Sequence, residues 1–145
     1  MDRSFISHTT TFKIYRMLDQ QYLSSDLPRT KYCPSKNQYY TTKKLRQLEF
    51  LYNKLGNGSL DVLTSSSNAK HESKYFRFHN YTGSYPAGSF LKLKDNIYLS
   101  SPELLFCQMA QNLSVEKLLL LGFELCGTYS VCPESETGFI SNVKP

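Results

Sequence analysis

The hydrophobic period of this 145-residue chain changes twice, and that constrains its fold more than any single motif. Before Gly56, apolar residues recur at three- and four-residue steps, the spacing of one helical face. Between there and Ser101, the runs "SLDVLTSS", "KYFRFHNY" and "SFLKLKDNIYLSS" are β-branched, aromatic or alternating, and the turn-forming "SSNAKHES" and "GSYPAGS" separate them. After Ser101 the helical spacing returns. The order predicts an α+β fold: a small antiparallel sheet of three to four strands flanked by N-terminal and C-terminal helices.

Punctuation sharpens the boundaries. A first helix is expected over 7–23, capped by Ser7 or Thr9, with Phe12, Tyr15 or Arg16, and Leu18 or Asp19 turned inward. The Ser, Asp and Pro content of "SSDLPRTKYCPSKNQ" marks a loop, after which Thr41 or Thr42 caps a helix carrying Leu45, Leu48, Leu51 or Tyr52, and Leu55 on one stripe, stopped at Gly56 to Gly58. In "FLKLKDNIYL" the alternation places Leu91 and Leu93 on one face and the lysines on the other, so one sheet face is expected to be wet, with "KDN" as the turn. Ser101, Pro102 and Glu103 form a helix start: a cap, a proline where no N–H is needed, and an anion in the first turn. Ser114 caps a second helix whose stripe is Val115, Leu118, Leu119, Gly122 and Cys126, and Gly122 implies close approach of a neighbouring backbone. Residues 1–132 are expected to form one module and 133–145 an exposed tail, with a short strand at Phe139 and Ile140.

Composition excludes several classes. Hydrophobic residues make up 40% of the chain and aromatic ones 14%, against general disorder. No window nears a membrane span and the N-terminus lacks a signal-peptide core, so a cytoplasmic protein with no membrane partner is expected. Cys33, Cys107, Cys126 and Cys132 lack zinc-site spacing, and Cys107 and Cys126 fall among leucines as small buried hydrophobes; no metal or other cofactor is expected. Residues 1–60 hold ten of the 17 Lys and Arg and four of the 12 Asp and Glu, a balance of +6, whereas the remainder carries −1. Arg29, Lys31, Lys36, Lys43, Lys44 and Arg46, interleaved with Tyr32, Tyr39 and Tyr40, are candidates for contacting DNA, RNA or a protein partner; a plain solvated face is the alternative.

No phosphate-binding glycine loop, H-E-x-x-H or G-x-S-x-G motif occurs. His8, His71 and His79 are scattered, with His8 in "SHTTT" the one to watch. One enzyme reading survives. Asp61 on one strand and Glu72 and Lys74 in "HESK" before the next match the order in which Mg²⁺-dependent nucleases present two carboxylates and a lysine; a solvated hairpin is the alternative.

The order "FISHTTTFKIYRML", "LDVLTSS", a strand with His79, then "LKLKDNIYLSSPELLFCQMAQNLSVEKLLLLGFELCGTY" resembles the central region of AbiEi-type (type IV) antitoxins and of related bacterial proteins fused to a very-short-patch-repair-like endonuclease. Ser7, His8, Thr9 and Thr10 match that family's serine-histidine helix start, and residues 97–103, including Ser101, Pro102 and Glu103, match its strand-to-helix step. Such proteins carry a winged helix-turn-helix before this region and, in fused members, a nuclease after it; the middle module alone is expected here. The resemblance implies an antitoxin-like interaction module that recognises a nucleotidyltransferase-type toxin or another defence protein, and transfers no catalytic residue. A partial endonuclease-family protein that binds or cleaves nucleic acid, and a mobile-element-encoded inhibitor of a host defence protein, are the alternatives.

Overall fold

The computed structural model describes residues 3–20, 27–36, 38, 40–56, 58–65, 74–126, 129–131 and 139–141. The chain divides into two compact units, Met1–Ser101 and Pro102–Pro145. This departs from a single module over 1–132: the strands β7 (Tyr129–Val131) and β8 (Phe139–Ser141) pair antiparallel across the expected boundary at residue 132.

The first unit is α+β, as the two changes of period require, but its sheet has six strands and is mixed. Its strands are β1 (Ser4–Ile6), β2 (Arg29–Thr30), β3 (Leu60–Thr64), β4 (Phe76–Asn80), β5 (Phe90–Lys94) and β6 (Ile97–Ser100), in the order β2-β5-β6-β1-β3-β4. β1 pairs parallel with β6, and β3 parallel with β4, while β1–β3, β2–β5 and β5–β6 are antiparallel. A small, wholly antiparallel sheet is therefore corrected. Alternation and β-branching report that a segment is a strand; they carry no information about its direction. β1 and β2, at three and two residues, are also too short to show a period.

Burial explains why the central strands read as apolar runs. Every residue of β1, β3 and β6 is buried, so both faces of the sheet centre are covered, and the exposed positions fall on the outer strands: Arg29 in β2, residues of β4, and Lys92 and Lys94 in β5. Asp95 and Asn96 make the β5–β6 turn, with Asn96 at φ +62°, a left-handed conformation that asparagine tolerates.

Two helices belong to this unit. In α1 (His8–Gln20) the buried residues are Thr10, Thr11, Ile14 and Tyr15. Phe12 and Arg16 instead stack outside, with the guanidinium 4.5 Å from the ring centroid. The expected extension to Leu23 lies outside the described residues. α2 (Thr42–Lys54) starts as its sequence requires: Thr41 Oγ1 accepts from Lys44 N–H, Leu48 and Leu51 are buried, and Gly56 at φ +84° follows the last turn.

The sheet is parted between β1 and β3. Ile6 pairs with Val62, so the register sets Phe5 opposite Leu63, yet the hydroxyl of Tyr40 stands between them. It accepts from Phe5 N–H at 3.1 Å and donates to the Leu63 carbonyl at 2.8 Å. Beside it, Gln38 Nε2 and Lys44 Nζ both donate to the Arg3 carbonyl, at 2.7 and 3.2 Å. The side chains of Gln38, Tyr40 and Lys44 thus supply hydrogen bonds that strand pairing omits, as buried backbone groups demand. Burial pushes the Tyr40 phenol well above its ordinary pKa, so this bridge stays protonated across the working pH range.

In the second unit, α3 (Pro102–Met109) and α4 (Val115–Leu125) form a helical pair, and Ser114 Oγ accepts from Lys117 N–H at the α4 start. Leu105 and Leu121 are the buried positions, whereas Cys107 and Cys126 are exposed. Two residues past Leu105, Cys107 faces away, which corrects the expectation of a buried thiol. The close neighbour of Gly122 is a ring rather than a backbone: a Cβ there would lie 3.2 Å from Phe106 Cε2.

Tyr40→Phe keeps the ring and deletes the bridge, leaving Phe5 N–H and the Leu63 carbonyl unpartnered between strands. Urea denaturation should show a loss of about 1–3 kcal/mol with the m-value unchanged.

Candidate functional site

A carboxylate inside an otherwise apolar central strand must be paired, and Asp61, 3% exposed in β3, is the one such residue among the described strands with every position buried. Its partners come from the start of α1 and from β4. The Ser7 carbonyl accepts the first helical bond, from Thr11 N–H, which makes Ser7 the cap by position. The capping side chain, however, comes from another strand: Asp61 Oδ2 accepts from Thr10 N–H at 3.1 Å and from Thr10 Oγ1 at 3.0 Å. Thr10 Oγ1 accepts in turn from Asp61 N–H at 2.8 Å, and Ser7 N–H donates to the Asp61 carbonyl at 3.0 Å. The anion sits at the helix N-terminus, where the dipole favours it.

β4 supplies the rest. Its parallel register sets Arg77 beside Asp61 and His79 beside Leu63. His79 Nε2 donates to Asp61 Oδ1 at 2.8 Å, and the Arg77 guanidinium, 64% exposed, lies 3.7 Å from the same oxygen. Burial pushes the Asp61 carboxyl up, but the hydrogen bonds from His79 and Thr10 outweigh it and hold the group below the usual carboxylate range.

His8 completes the cluster. It opens α1 at φ +50°, a strained conformation for a residue with a Cβ, and its ring stacks on His79 with centroids 3.6 Å apart and planes 13° from parallel. Its Nδ1 is 2.8 Å from the hydroxyl of the buried Ser7. Burial, with repulsion from His79 and against attraction by Asp61, lowers its pKa to about 4. His8 is therefore neutral at neutral pH.

The expected nuclease trio is not assembled by these residues. Asp61 has both oxygens engaged, Glu72 lies outside the described residues, and Lys74 is exposed with Nζ 4.9 Å over the Tyr75 ring; the register gives Asp61 the side chain of Arg77 rather than that of Lys74. Among the described residues, no group of three or more His, Cys, Asp or Glu is arranged to hold a metal ion. The sequence reading missed the union of Asp61, Arg77 and His79, because it requires parallel pairing of β3 and β4. The signal available was the buried charge itself.

The basic candidates divide. Lys31, Lys36, Lys43 and Arg46 are exposed. Arg29 donates to the Gly88 carbonyl at 2.9 Å. Lys44 corrects an expectation: it is 5% exposed and tied to Arg3, with Nζ 4.9 Å over Tyr40, because its methylene stem reaches inward to satisfy a carbonyl. Tyr32, 40% exposed, carries the Arg3 guanidinium 3.6 Å above its ring. Ser101 is buried at the end of the first unit, and Pro102 and Glu103 begin α3. No helix among the described residues is long and apolar enough to cross a membrane.

Comparison with protein-family models, curated proteins and solved structures returned no match to the chain.

Asp61→Asn should cost about 3 kcal/mol by denaturant titration at pH 7, since the buried network loses its charge and one of its two acceptor oxygens to an NH2 that faces donors. Acid should destabilise the wild type in two steps. His8, lowered from 6.5 to about 4, contributes stability that is complete above 6.5 and lost as pH falls towards 4. Asp61, also lowered, contributes stability that is lost only as pH falls through its own folded value, below 3.8. Stability measured from pH 8 to 3 should lose the first step in His8→Asn and the second in Asp61→Asn.

Proposed function

We propose that the chain acts by binding rather than by catalysis, as an antitoxin-like interaction module of a bacterial or phage toxin–antitoxin or defence system whose first unit engages nucleic-acid phosphates. One observation carries this reading. Residues 1–101 hold fifteen Lys and Arg against seven Asp and Glu, a net +8, while residues 102–145 hold two against five, a net −3. The charge asymmetry of the sequence thus coincides with the division of the fold, and Lys31, Lys36, Lys43 and Arg46 display part of it in solvent, with Lys31 Nζ 6.0 Å from the Tyr32 ring that carries Arg3.

Binding is favoured over cleavage because Asp61 is committed to holding α1 on the sheet. A metal would have to displace Thr10 or His79 from it.

Fluorescence anisotropy with a labelled single-stranded oligonucleotide tests the proposal. Affinity should fall steeply between about 50 and 200 mM salt, and Lys43→Ala with Arg46→Ala should weaken binding and reduce the log–log salt slope by about 1.5. No binding at low salt, or an unchanged slope in the double variant, rejects a phosphate-contacting surface. Salt-insensitive capture of a nucleotidyltransferase-type toxin would reassign the module to protein recognition.

A further inference from the structure

The first residue of α1 combines three features that its neighbours lack. His8 holds a left-handed backbone, its ring lies flat on a second imidazole, and it joins the chain segment in which β1 hands over to α1. Strain of this kind, on the order of 1–3 kcal/mol, persists only where surrounding contacts enforce it. Here the enforcing contacts include the stack on His79 and the Ser7 hydroxyl.

The charged and titratable groups facing the pair are Asp61 from β3, and Arg77 and His79 from β4. They treat the two rings differently. His79 is anchored through Nε2–H to Asp61 at 2.8 Å, so its ring is held in place. His8 bonds through Nδ1 to the neutral Ser7 hydroxyl, and a proton on it faces His79 across 3.6 Å and meets partial burial. Of the two, His8 is the ring that charging expels.

We propose that the stacked His8–His79 pair is a proton-operated latch on the junction between β1 and α1, closed while His8 is neutral and opened when His8 takes up a proton and its ring leaves the stack. Opening relieves the positive φ at His8 and frees the first turn of α1, while Asp61 and His79 keep β3 and β4 joined. The consequence is acid-sensitive order at residues 7–11, independent of which partner the basic surface takes.

Native-state hydrogen exchange of the full chain, followed by NMR from pH 7 to 4.5 and corrected for intrinsic rates, tests the latch. The reporters are the amides of Thr10 and Thr11, which donate to Asp61 and to the Ser7 carbonyl, with Leu99 of the central strand β6 as reference. Each opening takes up one proton, so protection at Thr10 and Thr11 should fall by about tenfold per pH unit below about 6.5, and should lie at least tenfold beneath that of Leu99 throughout. His8→Asn, which accepts a left-handed backbone and does not titrate, should abolish the pH dependence; His8→Gly serves if the asparagine variant folds poorly. Protection at Thr10 and Thr11 that does not change with pH overturns the proposal. So does a slope that survives in the His8 variant, or protection equal to that of Leu99, which would mean exchange through global unfolding alone.

Discussion

The Asp61 carboxylate is the interaction on which the rest of the first unit depends. A strand buried along its whole length carries one charge, and that charge caps α1 across space, orients His79 and lies within reach of Arg77. The fold could not bury Asp61 without Thr10 and His79, and α1 could not begin where it does without an acceptor for Thr10 N–H. Because this one group satisfies both demands, the joint between β1 and α1, the parallel β3–β4 pair and the strained His8 form a single construction. Its chemistry is that of a fastener, since both oxygens of the aspartate that suggests a metal site on paper are taken by Thr10 and His79 in three dimensions.

A second construction compensates a defect. β1 and β3 meet at Ile6 and Val62 but part at Phe5 and Leu63, and the segment carrying Gln38, Tyr40 and Lys44 fills the parting with side-chain hydrogen bonds. This fixes the residues before α2 against the sheet. It also turns Lys44 inward and leaves Lys43 and Arg46 outside, so the core's need for donors decides which of the clustered basic residues stay in solvent.

Much of the architecture was legible. Thr41, Ser114 and Pro102 mark helix starts where capping chemistry puts them, Gly56 ends α2, and the Asp95–Asn96 turn joins β5 to β6. What was hidden was long-range. Nothing in "LDVLT" or "FRFHN" declares that the two strands run the same way, and without that direction His79 has no visible link to Asp61. Three-residue β1 is invisible to any periodic test, although it occupies the middle of the sheet. The inward turn of Lys44 reads in sequence as one more surface charge. Asp61 was singled out by its order with Glu72 and Lys74, whereas the groups that meet it in the fold are Thr10, His79 and Arg77.

The claim that Asp61 fastens α1 to the sheet is tested most directly by a double-mutant cycle of Thr10→Ala and Asp61→Asn, read by denaturant unfolding at pH 7. Two residues that share several hydrogen bonds in a buried network should show a coupling energy of about 1.5–3 kcal/mol. A coupling below about 0.5 kcal/mol would mean that the carboxylate and the helix start are energetically independent, and would contradict the account.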